Sequence, residues 1–414
     1  MRRLITIAMA LLVACGGLAT ATRTPAGALD NGLAPTPPMG WNGYNHFSRD
    51  VTASIVEAQA RALVASGMKS AGYEYVNLDG GWDLLERDAA GNLQPDPAKF
   101  PDGIAPVAAY VHSLGLKFGI YTSAGTANCA NTSAGSYGHY DQDARTFADW
   151  GVDYVKLDRC NVPYDDFPTL TQPEVTQLLA TRMHDAILAA GRPMVFDVND
   201  ARQSEHDWTW APAIANVWRI VGDIADRYSS MVNHLVADVT HASEVAPGGG
   251  WSDPDMLEVG NGGMTDTEYR SEFSLWAELA APLIAGNDLT AMSATTRDIL
   301  TNRGVIAVDQ DPLGQQGYPV SNADGHWVLT RPLADGDRAV VLFNQTDVTA
   351  TITTSATEVG LPSTPVYLLR DLWRPGTAVT NGPISADVPP HAVVMYRVSP
   401  RPPMTPPGSD QASA

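Results

Sequence analysis

Short apolar runs alternate with longer segments of helical period up to about residue 309, and the alternation then stops. The runs at 39–44, 73–79, 117–122, 152–158, 194–198, 217–221, 255–259 and 283–285 have the length and side chains of buried strands. Between them, the segments 51–66, 104–113, 140–150, 174–190, 228–242 and 267–280 read as amphipathic helices. In the first of these, Ile55, Ala58, Ala62 and Leu63 form one stripe, and Thr52 stands where a cap is needed. Eight strands in β–α alternation over about 270 residues predict a (β/α)8 TIM barrel covering 34–308. A doubly wound open sheet is the competing architecture, but no glycine-rich dinucleotide loop follows the first strand. Gly248-Gly249-Gly250 precedes a strand and reads as an ordinary loop.

Beyond Asp309 the helical period is gone. Runs rich in β-formers at 326–330, 339–343, 350–354 and 392–397 are separated by turn dipeptides such as Asp324-Gly325 and Asp335-Gly336. These predict a small antiparallel β-sandwich over 309–399. Prolines and small polar residues over 400–414 predict a disordered tail.

The amino terminus, 1–21, reads as an export leader. Arg2 and Arg3 precede an apolar stretch too short to span a bilayer, and Ala19-Thr20-Ala21 offers a cleavage site. Leu12-Val13-Ala14-Cys15 also matches a lipobox, in which Cys15 would carry a lipid anchor. Either processing route predicts an exported, extracellular protein, and no later segment is apolar enough to span a membrane. With Cys15 removed, Cys129 and Cys160 remain. In an oxidising compartment such a pair suggests one disulfide, with two unrelated thiols as the alternative. Two cysteines and nine scattered histidines show no metal-ligand spacing, so neither a metal nor a cofactor is expected.

Charge narrows the partners. A net charge of −20 repels phosphate backbones and argues against nucleic acid, whereas a neutral sugar suffers no such repulsion.

In a parallel barrel the carboxyl ends of the strands face the active site. The fourth strand ends Tyr154-Val155-Lys156-Leu157-Asp158-Arg159-Cys160, and its period of two puts Lys156 and Asp158 on one face. A neighbouring ammonium is expected to hold Asp158 ionised, as a carboxylate nucleophile requires. The plain alternative is a structural ion pair at the rim. Asp223 follows the sixth strand, where a second carboxyl could reach the same pocket or simply cap the next helix. Two carboxyls in contrasting environments divide the work of glycoside hydrolysis, and a retaining reaction needs them about 5–5.5 Å apart. Trp41 and Tyr121 offer flat faces to a pyranose ring, and Asp79 offers an acceptor to its hydroxyls. Each could equally be core or cap. What favours function is that all of them fall at one end of one barrel.

The chain resembles glycoside hydrolase family 27, the α-galactosidase and α-N-acetylgalactosaminidase family, from about Pro37 through the β domain. The likeness is carried by Pro38-Met39-Gly40-Trp41-Asn42, Gly72 through Asp79, Gly119-Ile120-Tyr121, and Tyr154 through Cys160. Trp218-Arg219 with Asp223, Trp251 through Leu257, and Val308 through Gly314 complete it. The resemblance implies a retaining, exo-acting α-galactosidase with Asp158 as nucleophile and Asp223 as general acid/base. It further implies that Lys156 and Arg219 hold sugar hydroxyls, and that Trp41, Asp79, Tyr121 and Met256 shape the pocket. It also implies a Cys129–Cys160 disulfide, stabilising by about 3 kcal/mol.

Two positions depart from the family pattern. Asp79-Gly80-Gly81-Trp82 stands where Asp-Asp-Cys-Trp is usual, which removes a carboxylate that binds galactose hydroxyls, including the axial O4. That loss is worth about 1.5–3 kcal/mol of interaction. Asn199-Asp200-Ala201 replaces Cys-Glu-Trp, leaving Asp200 as the shorter candidate for the 2-hydroxyl. Rival readings are therefore a β-L-arabinopyranosidase or an isomaltodextranase-like α-glucan hydrolase of the same family and, from another class, a non-catalytic carbohydrate-binding protein.

Overall fold

A computed structural model describes residues 29–199, 209–241 and 250–401. The leader with Cys15, and Asp200, lie outside the described residues.

Eight parallel strands run in the order β7-β6-β5-β4-β3-β2-β1-β8. They are β1 (Met39–Asn42), β2 (Tyr75–Leu78), β3 (Lys117–Ser123), β4 (Tyr154–Asp158), β5 (Val195–Asn199), β6 (Val217–Arg219), β7 (Trp251–Asp253) and β8 (Leu283–Ala285). A single parallel bridge between Leu257 and Ala285 closes the ring. The strand expected at 255–259 is corrected here: the regular strand is Trp251–Asp253. Pro254 has no N–H to continue the ladder, and Asp255 adopts φ 85°, a left-handed conformation that no strand contains. Leu257 resumes pairing with β8 after that break.

The helices form where their caps allow. Ala53–Ala65 opens with the Thr52 side chain accepting from the Ile55 N–H, as its sequence predicts. Gln172–Ala190 and Asp266–Leu279 each begin with a capping box, Thr171 with Glu174 and Thr265 with Glu268.

The barrel interior changes chemistry from bottom to top, two residues at a time. At the amino-terminal ends, Tyr75, Tyr154, Val195, Val217 and Trp251 form an apolar layer, against which Leu33 and Ala34 pack. One step up each strand the same face carries Asn77, Lys156, Asp197, Arg219 and Asp253, and a further step brings Asp79, Asp158 and Asn199. Gly119 is required in this stack, since a Cβ there would lie 2.0 Å from Asn77 Oδ1.

The carboxyl-terminal domain has a six-stranded antiparallel sheet, β14-β13-β16-β11-β10-β9, and a two-stranded sheet, β12-β15. Its strands are β9 (Tyr318–Ala323), β10 (His326–Pro332), β11 (Arg338–Asn344), β12 (Ala350–Ser355), β13 (Val366–Asp371), β14 (Thr377–Thr380), β15 (Pro383–Val388) and β16 (Val393–Arg401). Val328, Val340, Leu342, Ile352, Ile384 and Val398 form the core between the sheets. Their strand neighbours Trp327, Leu329, Val341, Phe343 and Met395 join the barrel core instead. Pro400 and Arg401, expected in a tail, pair with Tyr367 and Val366 as the end of β16. Residues 402–414 lie outside the described part. Buried Arg331 ties the domains together, donating to the carbonyls of Ala277 at 2.7 Å and Asp309 at 3.2 Å. Among the described residues no helix is long and apolar enough to cross a membrane.

Candidate active site

A cavity of about 590 Å³ opens at the carboxyl ends of the strands. Asp79, Tyr121, Lys156, Asp158, Arg219, Asp223 and Met256, all expected from the sequence, line it. Trp41 does not. Its ring is fully buried, packed edge-on against Phe47, and its indole N–H donates to the Asn287 carbonyl at 2.8 Å. This segment contributes the rings of Tyr44 and His46 to the cavity, just beyond β1.

Lys156 corrects a second expectation. Its ammonium donates to Asp79 Oδ2 at 2.8 Å, and it bonds Asp79 rather than Asp158. Asp79 is otherwise held by Asn42 at 2.7 Å and by the Gly80 N–H at 2.7 Å. Burial works against its charge, but the Lys156 ammonium and these donors prevail, and its pKa falls below the usual value. Asp158 goes the other way. Burial raises its pKa to about 6, with Lys156 opposing and Asp79 reinforcing the shift. Lys156 still favours the charged form of Asp158, but burial outweighs that pull.

Asp158 is half-buried, and its Oδ1 has no hydrogen-bond partner among the described residues. Cys129 Sγ lies 3.7 Å from Oδ2, but a disulfide sulfur has no proton to donate. The Cys129–Cys160 bond is present, with Cα atoms 4.9 Å apart, and joins the loop after β3 to the end of β4. Cys129, Cys160 and Asp158 also cluster closely enough to suggest metal ligands, but sulfurs bonded to each other supply no thiolates.

Asp223 occupies the opposite environment. Its side chain is 85% exposed, and its closest charged partner is Arg219 Nη1 at 3.4 Å. Arg219 is itself buried and spans to Asp253 at 3.2 Å and Asp255 at 2.6 Å. Asp255 ties the two segments together, since its Oδ2 accepts the Ile224 N–H at 2.8 Å. Its left-handed backbone is held by these bonds together with those that the Met256 N–H donates to its Oδ1 and the Trp276 indole donates to its carbonyl.

Sequence reasoning assigned no role to Asp255 or Asp253, although both lie in a motif singled out there. It also missed Asn45, His46, Glu258 and Asn261 at the rim. Glu258 accepts from Asn45 at 2.5 Å and Asn261 at 2.6 Å, and burial raises its pKa to about 7. No spacing rule marks these residues, because loops after β1 and β7 bring them together. The arrangement supplies one half-buried and one exposed carboxyl over one polar cavity, a pairing that suits acid/base or nucleophilic work on a sugar.

Known proteins share this architecture. The family model for alpha galactosidase A matches residues 36–311, and that for the alpha galactosidase C-terminal beta sandwich domain matches 323–398. An alpha-galactosidase of Cyamopsis tetragonoloba is 44% identical over 377 residues, covering 90% of this chain and 88% of its own. The crystal structure of alpha-galactosidase I from Mortierella vinacea superposes with TM-score 0.83 at 34% identity, covering 89% of this chain and 98% of that one. A GH27 β-L-arabinopyranosidase of Geobacillus stearothermophilus in complex with arabinose superposes with TM-score 0.78 at 26% identity, covering 89% and 98%. With both domains matched by their own models and relatives alike over nearly the whole chain, this protein belongs to the alpha galactosidase A family.

Proposed function

We propose that the protein is a retaining α-galactosidase releasing terminal α-linked galactose, with Asp158 as nucleophile and Asp223 as general acid/base. The observation that carries this is one cavity lined by both carboxyls, Asp158 half-buried and Asp223 exposed. Asp158 attacks the anomeric carbon, and Asp223 passes its proton to the leaving oxygen. Asp223 then takes a proton from the incoming water, which cleaves the glycosyl–Asp158 ester and restores both groups. Lys156, Asp79 and Arg219 hold ring hydroxyls through donors and acceptors that their own bonds fix in place. Tyr44 and Tyr121 pack on the ring. No step calls for a metal or a cofactor.

Gly80 supports a second reading. It leaves that wall of the cavity without a side chain, and a Cβ there would meet the Tyr121 ring at 3.2 Å. The carboxylate absent there would have met sugar hydroxyls including the axial O4, so the bare wall favours α-glucosides, which differ from galactosides at O4, as alternative substrates. Assaying nitrophenyl α-D-galactopyranoside, β-L-arabinopyranoside and α-D-glucopyranoside, with an isomalto-oligosaccharide, separates these readings. Fastest turnover of the galactoside, with NMR showing the α-anomer of galactose as first product, is the expected result. Binding without turnover of any of them would instead identify a carbohydrate-binding protein.

Export from the cell is proposed as well. The Cys129–Cys160 bond supports an oxidising compartment, and mass measurement of the mature amino terminus distinguishes cleavage after Ala21 from lipidation at Cys15.

A further inference from the structure

Asp223 is largely exposed, so its own side-chain contacts do little to fix its position. Its backbone is anchored instead. The Ala225 N–H donates to Ser230 Oγ at 3.0 Å, and the Ile224 N–H donates to Asp255. On the other side, the Gly222 carbonyl lies 2.8 Å from His234 Nε2. The second ring nitrogen of His234, Nδ1, lies 2.7 Å from the Ser230 carbonyl. His234 and Ser230 are both buried, on the inner face of the helix Tyr228–His241.

Carbonyl oxygens only accept, so a ring whose Nε2 carries the proton donates to the Gly222 carbonyl. Such a ring fastens the residue preceding Asp223 to the helix that follows it. Ser230 adds a fastening from the same helix to the other flank. The mechanism assigns His234 no role, and it does not line the cavity.

We propose that His234 is a positioning residue that holds Asp223 within reach of the leaving oxygen. This rests on the acid/base role proposed above for Asp223. Displacing a proton donor by about 1 Å can slow its step by about 10²-fold. The loss depends on the leaving group, because an alkoxide needs the proton and a dinitrophenolate does not.

The test compares kcat/KM of wild type, His234→Ala and Asp223→Ala on melibiose and on 2,4-dinitrophenyl α-D-galactopyranoside, with thermal melting as the check on folding. The expected result is a loss of about 10²-fold for His234→Ala on melibiose and of under about threefold on the activated substrate. His234→Gln, which keeps one donor, is expected to recover part of the melibiose activity. It also serves as the working variant if His234→Ala does not fold. Equal losses on both substrates, or no loss on either, in a folded His234 variant would overturn the proposal. If Asp223→Ala shows steep leaving-group dependence and the His234 variants do not, the positioning role alone fails. If Asp223→Ala shows none, the acid/base reading fails, and the positioning proposal with it.

Discussion

The two proposed catalytic carboxyls sit on opposite kinds of support. Asp158 ends a strand paired on both sides, with Ser123 of β3 and Asn199 of β5, and a disulfide is closed beside it. Asp223 stands four residues beyond the short β6, in a loop, with its side chain in solvent. A nucleophile must meet one carbon along one line, and a strand end in a closed barrel holds it there. An acid/base must serve a departing alcohol and then an arriving water, and an exposed loop lets both approach. The contrast predicts that damage at Asp158 affects every substrate alike, while damage around Asp223 is selective.

The largest effect expected is from Asp158→Asn, a near-isosteric change that removes the nucleophile. Turnover of all galactosides should fall by about 10⁴-fold or more, with the melting temperature kept. Asp223→Ala should lower kcat/KM on melibiose by about 10²–10⁴-fold, with much less effect on dinitrophenyl galactoside. Identical profiles for the two variants would erase the distinction between the sites. Replacing Cys129 and Cys160 together by serine opens a loop with a sequence separation of 31 residues. Denaturant melts should show a loss of about 3–4 kcal/mol, and kcat should drop on both substrates, since the clamp lies beside Asp158.

The pH dependence sharpens the comparison further. The nucleophile must be ionised, and burial raises the pKa of Asp158 to about 6. The rate should therefore rise with pH through about 6 in kcat/KM, which reports the free enzyme. Lys156→Met should move that acid limb to higher pH, because Lys156 favours the charged form.

Stability should follow a separate trend. Burial raises Asp83, Asp197 and Asp238 to about 7, and Glu278 and Asp309 to about 8. Each has a folded pKa above its unfolded one, so the folded state binds more protons between about pH 4 and 8. The stability these groups contribute is present in full below about pH 4 and is lost as pH rises through their folded values. The melting temperature should be higher at pH 5 than at pH 8, and Asp238→Asn should reduce the difference slightly.

Much of this was legible in the sequence, and the exceptions have local causes. Strand and helix periods give the barrel, because inward-facing residues recur every second position on each strand, as in Tyr154, Lys156 and Asp158. The seventh strand is hard to place from sequence because Trp251–Asp253 is short and ends at a proline, while the apolar run after Asp255 looks more strand-like. One-dimensional spacing cannot show which of the nearby aromatics points inward: Trp41 is core, and the turn after β1 presents Tyr44 to the cavity. The electrostatics were the least legible. Sequence put Lys156 beside Asp158, but the fold brings Asp79 from another strand to bond it.

The most direct test of the central claim is covalent. Incubation with 5-fluoro-α-D-galactosyl fluoride, which should form the glycosyl-enzyme readily and release it slowly, is followed by digestion and mass spectrometry of the labelled peptide. The account predicts one sugar per chain, attached at Asp158, and no label in Asp158→Asn. A label on Asp223, or turnover of the reagent by Asp158→Asn, would contradict it.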